Sequence, residues 1–133
     1  MATTPIQAVV TQDAPAPVGP YNQAVIADGW LYCSGQIPLD PNTGKLISGN
    51  ISSCTTQVMT NIKSLLEAAE MNLNNVVKCS IFLKDMNDFE KVNKVYSGYF
   101  SSTPPARETV QVSKLPLDVD VEISCIAIKG SVE

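Results

Sequence analysis

The chain carries a single arginine, Arg107, an acid in the middle of an apolar run, Glu122, and no histidine. Guanidinium is planar, permanently charged and pairs with a carboxylate through two parallel hydrogen bonds. Arg107 follows the rigid Pro104-Pro105 pair at the start of a strand, so it is a candidate anchor for an anionic ligand. A surface arginine in a solvent pair is the plain alternative. Glu122 lies between Val121 and Ile123 and points away from the face those residues share. In an interface cleft near Arg107, partial burial would raise its pKa toward the range useful for acid–base work and let it position a water. An ordinary solvent-facing position is the alternative.

Tyr21 follows the Gly19-Pro20 turn and could line a pocket through its ring and hydroxyl. Ser34-Gly35 ends a strand, where backbone N–H groups could serve as donors to an anion. Each also has a purely structural reading. Without histidine, every triad that uses imidazole as base is excluded, as is a Cys–His nucleophile. The four cysteines, Cys33, Cys54, Cys79 and Cys125, form no CxxC pair, so no zinc site is expected. All four fall on or near apolar faces and read as core.

Charge narrows the partners. The formal net charge is −4 and the lysines are scattered, which opposes nucleic-acid binding. No apolar run approaches the roughly 20 residues that span a bilayer. Met1 to Gln12 lacks the basic start and apolar stretch of a secretory signal. A cytoplasmic protein that does not enter membranes is the expectation, with 133 residues forming one domain.

The elements that must hold these side chains follow from periodicity. Gln23 to Ala27 and Trp30 to Ser34 form a hairpin around Asp28-Gly29, a type I′ pair. Pro5 to Val10 is a candidate first edge strand, and Asp40 to Gly49 is turn-rich. From Ser52 to Met71, Cys54, Val58, Ile62, Leu65 and Ala69 make one helical stripe, with Asn50, Ser52 or Ser53 as cap. Val76 to Lys84 alternates, with Val77, Cys79, Ile81 and Leu83 on one face. A second helix carries Phe89, Val92, Tyr96 and Tyr99, opened by a capping box of Asn87 and Glu90. Arg107 to Ser113 and Val119 to Ile128 are the last strands. The sum is α+β: a mixed six-stranded sheet with two helices on one face. The other face also bears apolar side chains, Phe82, Ile126 and Ile128, so a homo-oligomer is expected to cover it.

Several motifs agree in order and spacing with one family. Gly19-Pro20-Tyr21, Ser34-Gly35-Gln36-Ile37-Pro38, Val77-Lys78 through Ile81-Phe82-Leu83-Lys84-Asp85, Pro105-Ala106-Arg107 and Val121-Glu122-Ile123 closely resemble the Rid (YjgF) family of reactive-intermediate deaminases. The similarity runs from about residue 13 to 129. It implies a chorismate-mutase-like fold and a homotrimer with clefts between subunits. It also implies hydrolysis of enamines and imines such as 2-aminoacrylate to 2-keto acids and ammonia, without metal or cofactor. Carried over, Arg107 matches the arginine that binds the substrate carboxylate, and Glu122 the acid that holds the attacking water. Tyr21 and the segment Ser34, Gly35, Gln36 and Ile37 match the ligand-lining groups, and Asn93 a supporting asparagine. Many members follow the arginine with a small residue and then Cys, where this chain has Glu108 and Thr109. Thr109 should share a face with Arg107 and adjust ligand preference, whereas Glu108 should point the other way. Two rivals stand beside this expectation: a non-catalytic binder of keto acids or amino acids, and an endoribonuclease or translation inhibitor.

Overall fold

The tight turn at Asp28-Gly29 sets the first sheet register. Both residues take positive φ, 51° and 82°, the left-handed pair that a two-residue hairpin requires. In the computed structural model, which describes residues 5–130, this turn joins β2 (Ala24–Ala27) to β3 (Trp30–Cys33). The reading of Met1 to Gln12 falls partly outside the described residues. β1 (Gln7–Val9) pairs with β2 at one edge. β4 (Leu39–Asp40) and β5 (Lys45–Leu46) form a separate small hairpin inside the turn-rich segment.

The helix α1 (Ile51–Ala68) begins at Asn50, whose side chain accepts the Ser53 N–H at 2.8 Å. It ends in a Schellman motif: Met71 N–H bonds Leu66 O and Glu70 N–H bonds Glu67 O. Glu70 takes the left-handed position at φ 59°, usually a glycine's. The stripe Cys54, Val58, Ile62, Leu65 and Ala69 is buried. After β6 (Val76–Leu83) comes the shorter helix α2 (Phe89–Ser97), then β7 (Ala106–Gln111) and β8 (Val121–Ile128).

The sheet order is β1-β2-β3-β8-β6-β7, with β6 and β7 parallel and the remaining pairs antiparallel. Both helices lie over one face, where Leu31, Cys79, Ile81, Val121, Ile123 and Cys125 are buried. The other face of the sheet is uncovered in the single chain. Tyr32 and Val110 stand 46% and 44% exposed there, and Phe82, Ile126 and Ile128 are half-buried.

Two local expectations are corrected. β6 has a register shift between Val76 and Lys78, so Val76, not Val77, enters the core, and Val77 is exposed. The Asn87–Glu90 capping box is absent: Asp85 accepts the Asn87 N–H and opens a short 3₁₀ turn, and α2 then starts at Phe89 without a side-chain cap.

Candidate functional site

An isolated bridge between Gln36 and Ile123 ties the segment after β3 to the start of β8. That bridge brings Gly35 against Glu122. A Cβ on Gly35 would overlap the Glu122 carboxylate, so the absence of a side chain here is what lets the acid lie flat on the backbone. Glu122 is half-buried, and burial raises its carboxyl above the ordinary glutamate value.

Around this carboxylate opens a cleft of about 630 Å³. Tyr21, Ser34, Gly35, Gln36, Ile37 and Glu122 all line it, so these residues, named from sequence, converge. The Tyr21 hydroxyl accepts the Val18 N–H, and Tyr21 N–H bonds Gly19 O, closing the turn that holds the ring at the cleft. Ser34 and Gln36 depart from the expectation of ligand-facing amides. Their N–H groups bond Gln23 O and Ile123 O, so they are committed to the fold. The Ser34 hydroxyl donates to Asn22 O at 2.6 Å.

Arg107 and Thr109 are elsewhere. In a sheet, directly paired residues share a face and successive residues alternate. Arg107 pairs with buried Cys79, and Thr109 with buried Ile81, so both face the helices. Glu122 pairs with Phe82 on the uncovered face. Arg107 and Glu122 therefore do not meet within one chain; the expectation puts them together in a cleft between subunits. Thr109 does share a face with Arg107, and its hydroxyl oxygen is buried without a hydrogen-bond partner among the described residues. Glu108 points the other way, bonded to Ser80 and paired with Lys78 at 3.3 Å.

The arginine is held by α2. Its Nη1 donates to Asn93 Oδ1, and its guanidinium sits 5.0 Å from the Tyr96 ring centroid and 5.6 Å from that of Phe89. β7 is the edge of the sheet, so this cation lies at the rim of the molecule. The neighbouring thiol is inert: burial pushes Cys79 up to about 11.

Sequence reasoning missed two buried amides that fix the cleft walls. Gln23 donates to the carbonyls of Thr11, Ala14 and Pro15 and accepts the Thr11 N–H, pinning the strap that precedes Tyr21. Asn61, on α1, donates to Ile37 O and Leu39 O. A polar residue interrupting the stripe at the spacing Val58, Asn61, Leu65 was the available signal. Among the described residues no group of histidine, cysteine, aspartate and glutamate is placed to hold a metal ion, and no helix is long and apolar enough to cross a membrane.

Together these features describe a small α+β protein with an acid-floored cleft on one sheet face and a tethered arginine at the opposite rim. A family profile described as Endoribonuclease L-PSP matches residues 11–129. The chain is 51% identical over 123 residues to a RutC family protein of Pyrococcus horikoshii, covering 92% of this chain and 98% of the relative. It is 46% identical over 122 residues to a bovine protein named 2-iminobutanoate/2-iminopropanoate deaminase, covering 92% and 89%. The crystal structure of the YjgF gene product of E. coli superposes with TM-score 0.89 at 38% identity, covering 93% of this chain and 99% of that one. The chain belongs to the endoribonuclease L-PSP family, which is the Rid (YjgF) family its motifs resemble.

Proposed function

We propose that the chain is a cofactor-independent deaminase that hydrolyses 2-imino acids and their enamine tautomers to 2-keto acids and ammonia. The observation that carries this reading is Glu122, a half-buried carboxylate with a raised pKa on the floor of an open cleft. A bovine relative named for this reaction supports the choice of substrate. The working assembly is a homotrimer in which the Arg107 rim of one copy closes the Glu122 cleft of the next. Two features support it: the uncovered apolar sheet face, and the placement of Arg107 and Glu122 where one copy cannot join them.

In this reading Arg107 binds the substrate carboxylate, oriented by Asn93. The enamine takes a proton at carbon and gives one up from nitrogen, becoming the imine. Glu122 accepts a proton from water as its oxygen bonds the imine carbon. That proton passes to nitrogen to give the carbinolamine, whose hydroxyl proton is relayed through Glu122 to nitrogen as the C–N bond breaks, so ammonia leaves and the carbonyl forms. Free imines hydrolyse readily, so positioning and proton transfer are sufficient help. Four buried free thiols fit a reducing compartment, in keeping with a cytoplasmic location. The family description also names endoribonuclease activity, but a net charge of −4 gives phosphates little to bind.

The test supplies imines made in situ by an amino-acid oxidase and follows ammonia or keto-acid release under semicarbazide competition. Wild type should accelerate release and Arg107→Ala should lose it while keeping its assembly mass. A fully active Arg107→Ala protein removes the anchor role.

A further inference from the structure

Between β7 and β8 the chain makes a strained turn that the fold alone does not explain. Leu117 has φ 54° and ψ 22°, and Asp118 follows at φ 55°. Both are in the left-handed region, which a branched L side chain rarely occupies. The turn is nailed down on either side. Leu115 and Val119 are buried, Asp118 N–H bonds Leu115 O, Val119 N–H bonds Pro116 O, and Lys84 pairs with Asp118 at 3.1 Å. Between these anchors Leu117 is pushed outward and is 68% exposed. A turn needed only to reverse direction would place glycine or asparagine there. Here a strained backbone holds an apolar side chain in water, and strain of this kind collects where a site is being shaped.

Leu117 lines the same cleft as Glu122. We infer that Leu117 is the specificity residue of this cleft, extending its range from small 2-imino or 2-keto acids to those with larger aliphatic side chains and disfavouring acidic ones. The inference deepens the proposed function and rests on it for the identity of the reacting group. An imine carbon has three substituents: carboxylate, nitrogen and side chain. Glu122 serves the carbon and nitrogen, and the carboxylate is drawn to the cation. The side chain is left to the remaining walls, which are mainly apolar, with Val18, Ile37, Leu39 and Leu117 alongside Gln23 and Gln36.

The experiment pairs calorimetric binding of the keto acids of alanine, leucine and glutamate with turnover of the corresponding imines. It compares wild type, Leu117→Gly and Leu117→Lys. Wild type should favour the leucine and alanine compounds over the glutamate compounds. Leu117→Gly should lose about tenfold on the leucine compounds and little on the alanine compounds, as expected when methylene contacts in an apolar pocket are removed. Leu117→Lys should shift preference toward the glutamate compounds. Because glycine is at ease at this φ, the melting temperature of Leu117→Gly should hold or rise, which separates lost recognition from lost folding. Equal losses on all three ligands, or a change in assembly mass, overturn the inference and make Leu117 a subunit contact. Leu117-dependent keto-acid preference without imine turnover upholds the inference and removes the deaminase reading. Turnover with an unchanged ranking does the reverse, and no binding with no turnover removes both.

Discussion

Arg107 and Glu122 lie on opposite faces of the sheet, three residue pairs apart along β6, through Cys79 and Phe82 respectively. No side-chain rotation in one chain can bring a guanidinium from the helix side to a carboxylate on the uncovered side. Chemistry that needs both must use two copies. Arg107→Ala and Glu122→Gln proteins, each inactive alone, should therefore complement when co-expressed and purified as mixed assemblies. With random mixing, a cleft is competent when its arginine and its glutamate both come from intact contributors, so about a quarter of wild-type activity should return. A mixed assembly as dead as its parents would show that the two groups do not meet in a shared cleft.

Gly35 and Glu122 offer a sharper probe of position. Gly35 is exposed and its φ is not in the left-handed region, so a methyl group costs the backbone little. That methyl would occupy the space of the carboxylate. Gly35→Ala should leave melting and assembly close to wild type yet lower kcat by about 100-fold, the scale expected for misplacing a reacting group by an ångström. Unchanged kcat would mean that the resting place of Glu122 is irrelevant to turnover.

Much of this arrangement is legible in the amino-acid sequence. The hairpin at Asp28-Gly29, the α1 stripe and the strand of Glu122 are local patterns, and local physics enforces them. The convergence of Tyr21, Gly35, Ile37 and Glu122 was legible through the family motifs. What stayed hidden depends on pairing across the chain. The shift at Val76–Lys78 reverses which valine is buried, and alternation alone cannot announce it. The opposed faces of Arg107 and Glu122 follow from strand register against a third strand, β6. Asp85 displaced the Asn87 cap because a 3₁₀ turn intervenes before α2. The left-handed pair Leu117-Asp118 carries no glycine or asparagine to mark it.

The raised pKa of Glu122 has two consequences of opposite kind. A base acts only when ionised, so kcat/KM should fall as pH drops through a value above that of a free glutamate. For stability the folded chain holds this proton more tightly than the unfolded chain. Stability therefore declines as pH rises from the unfolded pKa through the folded one, and the penalty is complete above it. Glu122→Gln should be inactive, yet its melting temperature should gain on wild type as pH rises from the ordinary glutamate range through the raised pKa of the folded chain. A variant that loses ground over that interval would show the carboxylate to be a structural ion.

Gln23 carries the strap that leads to Tyr21. Its buried amide makes four hydrogen bonds to the backbone of Thr11, Ala14 and Pro15. Gln23→Leu keeps the volume and removes every donor and acceptor. At about 1 kcal/mol net per bond, with part of the strap rehydrating, the loss should be about 3 kcal/mol by urea unfolding. The strap should also detach locally before the sheet unfolds, because β2 and β3 keep their own ladder. Amide exchange at Thr11 should then quicken well beyond that of Leu31, and KM for the imine should rise more than kcat falls as Tyr21 loses its support. Exchange at Thr11 that slows or quickens only in step with Leu31 would mean that the strap is held by its contacts with the sheet rather than by this one amide.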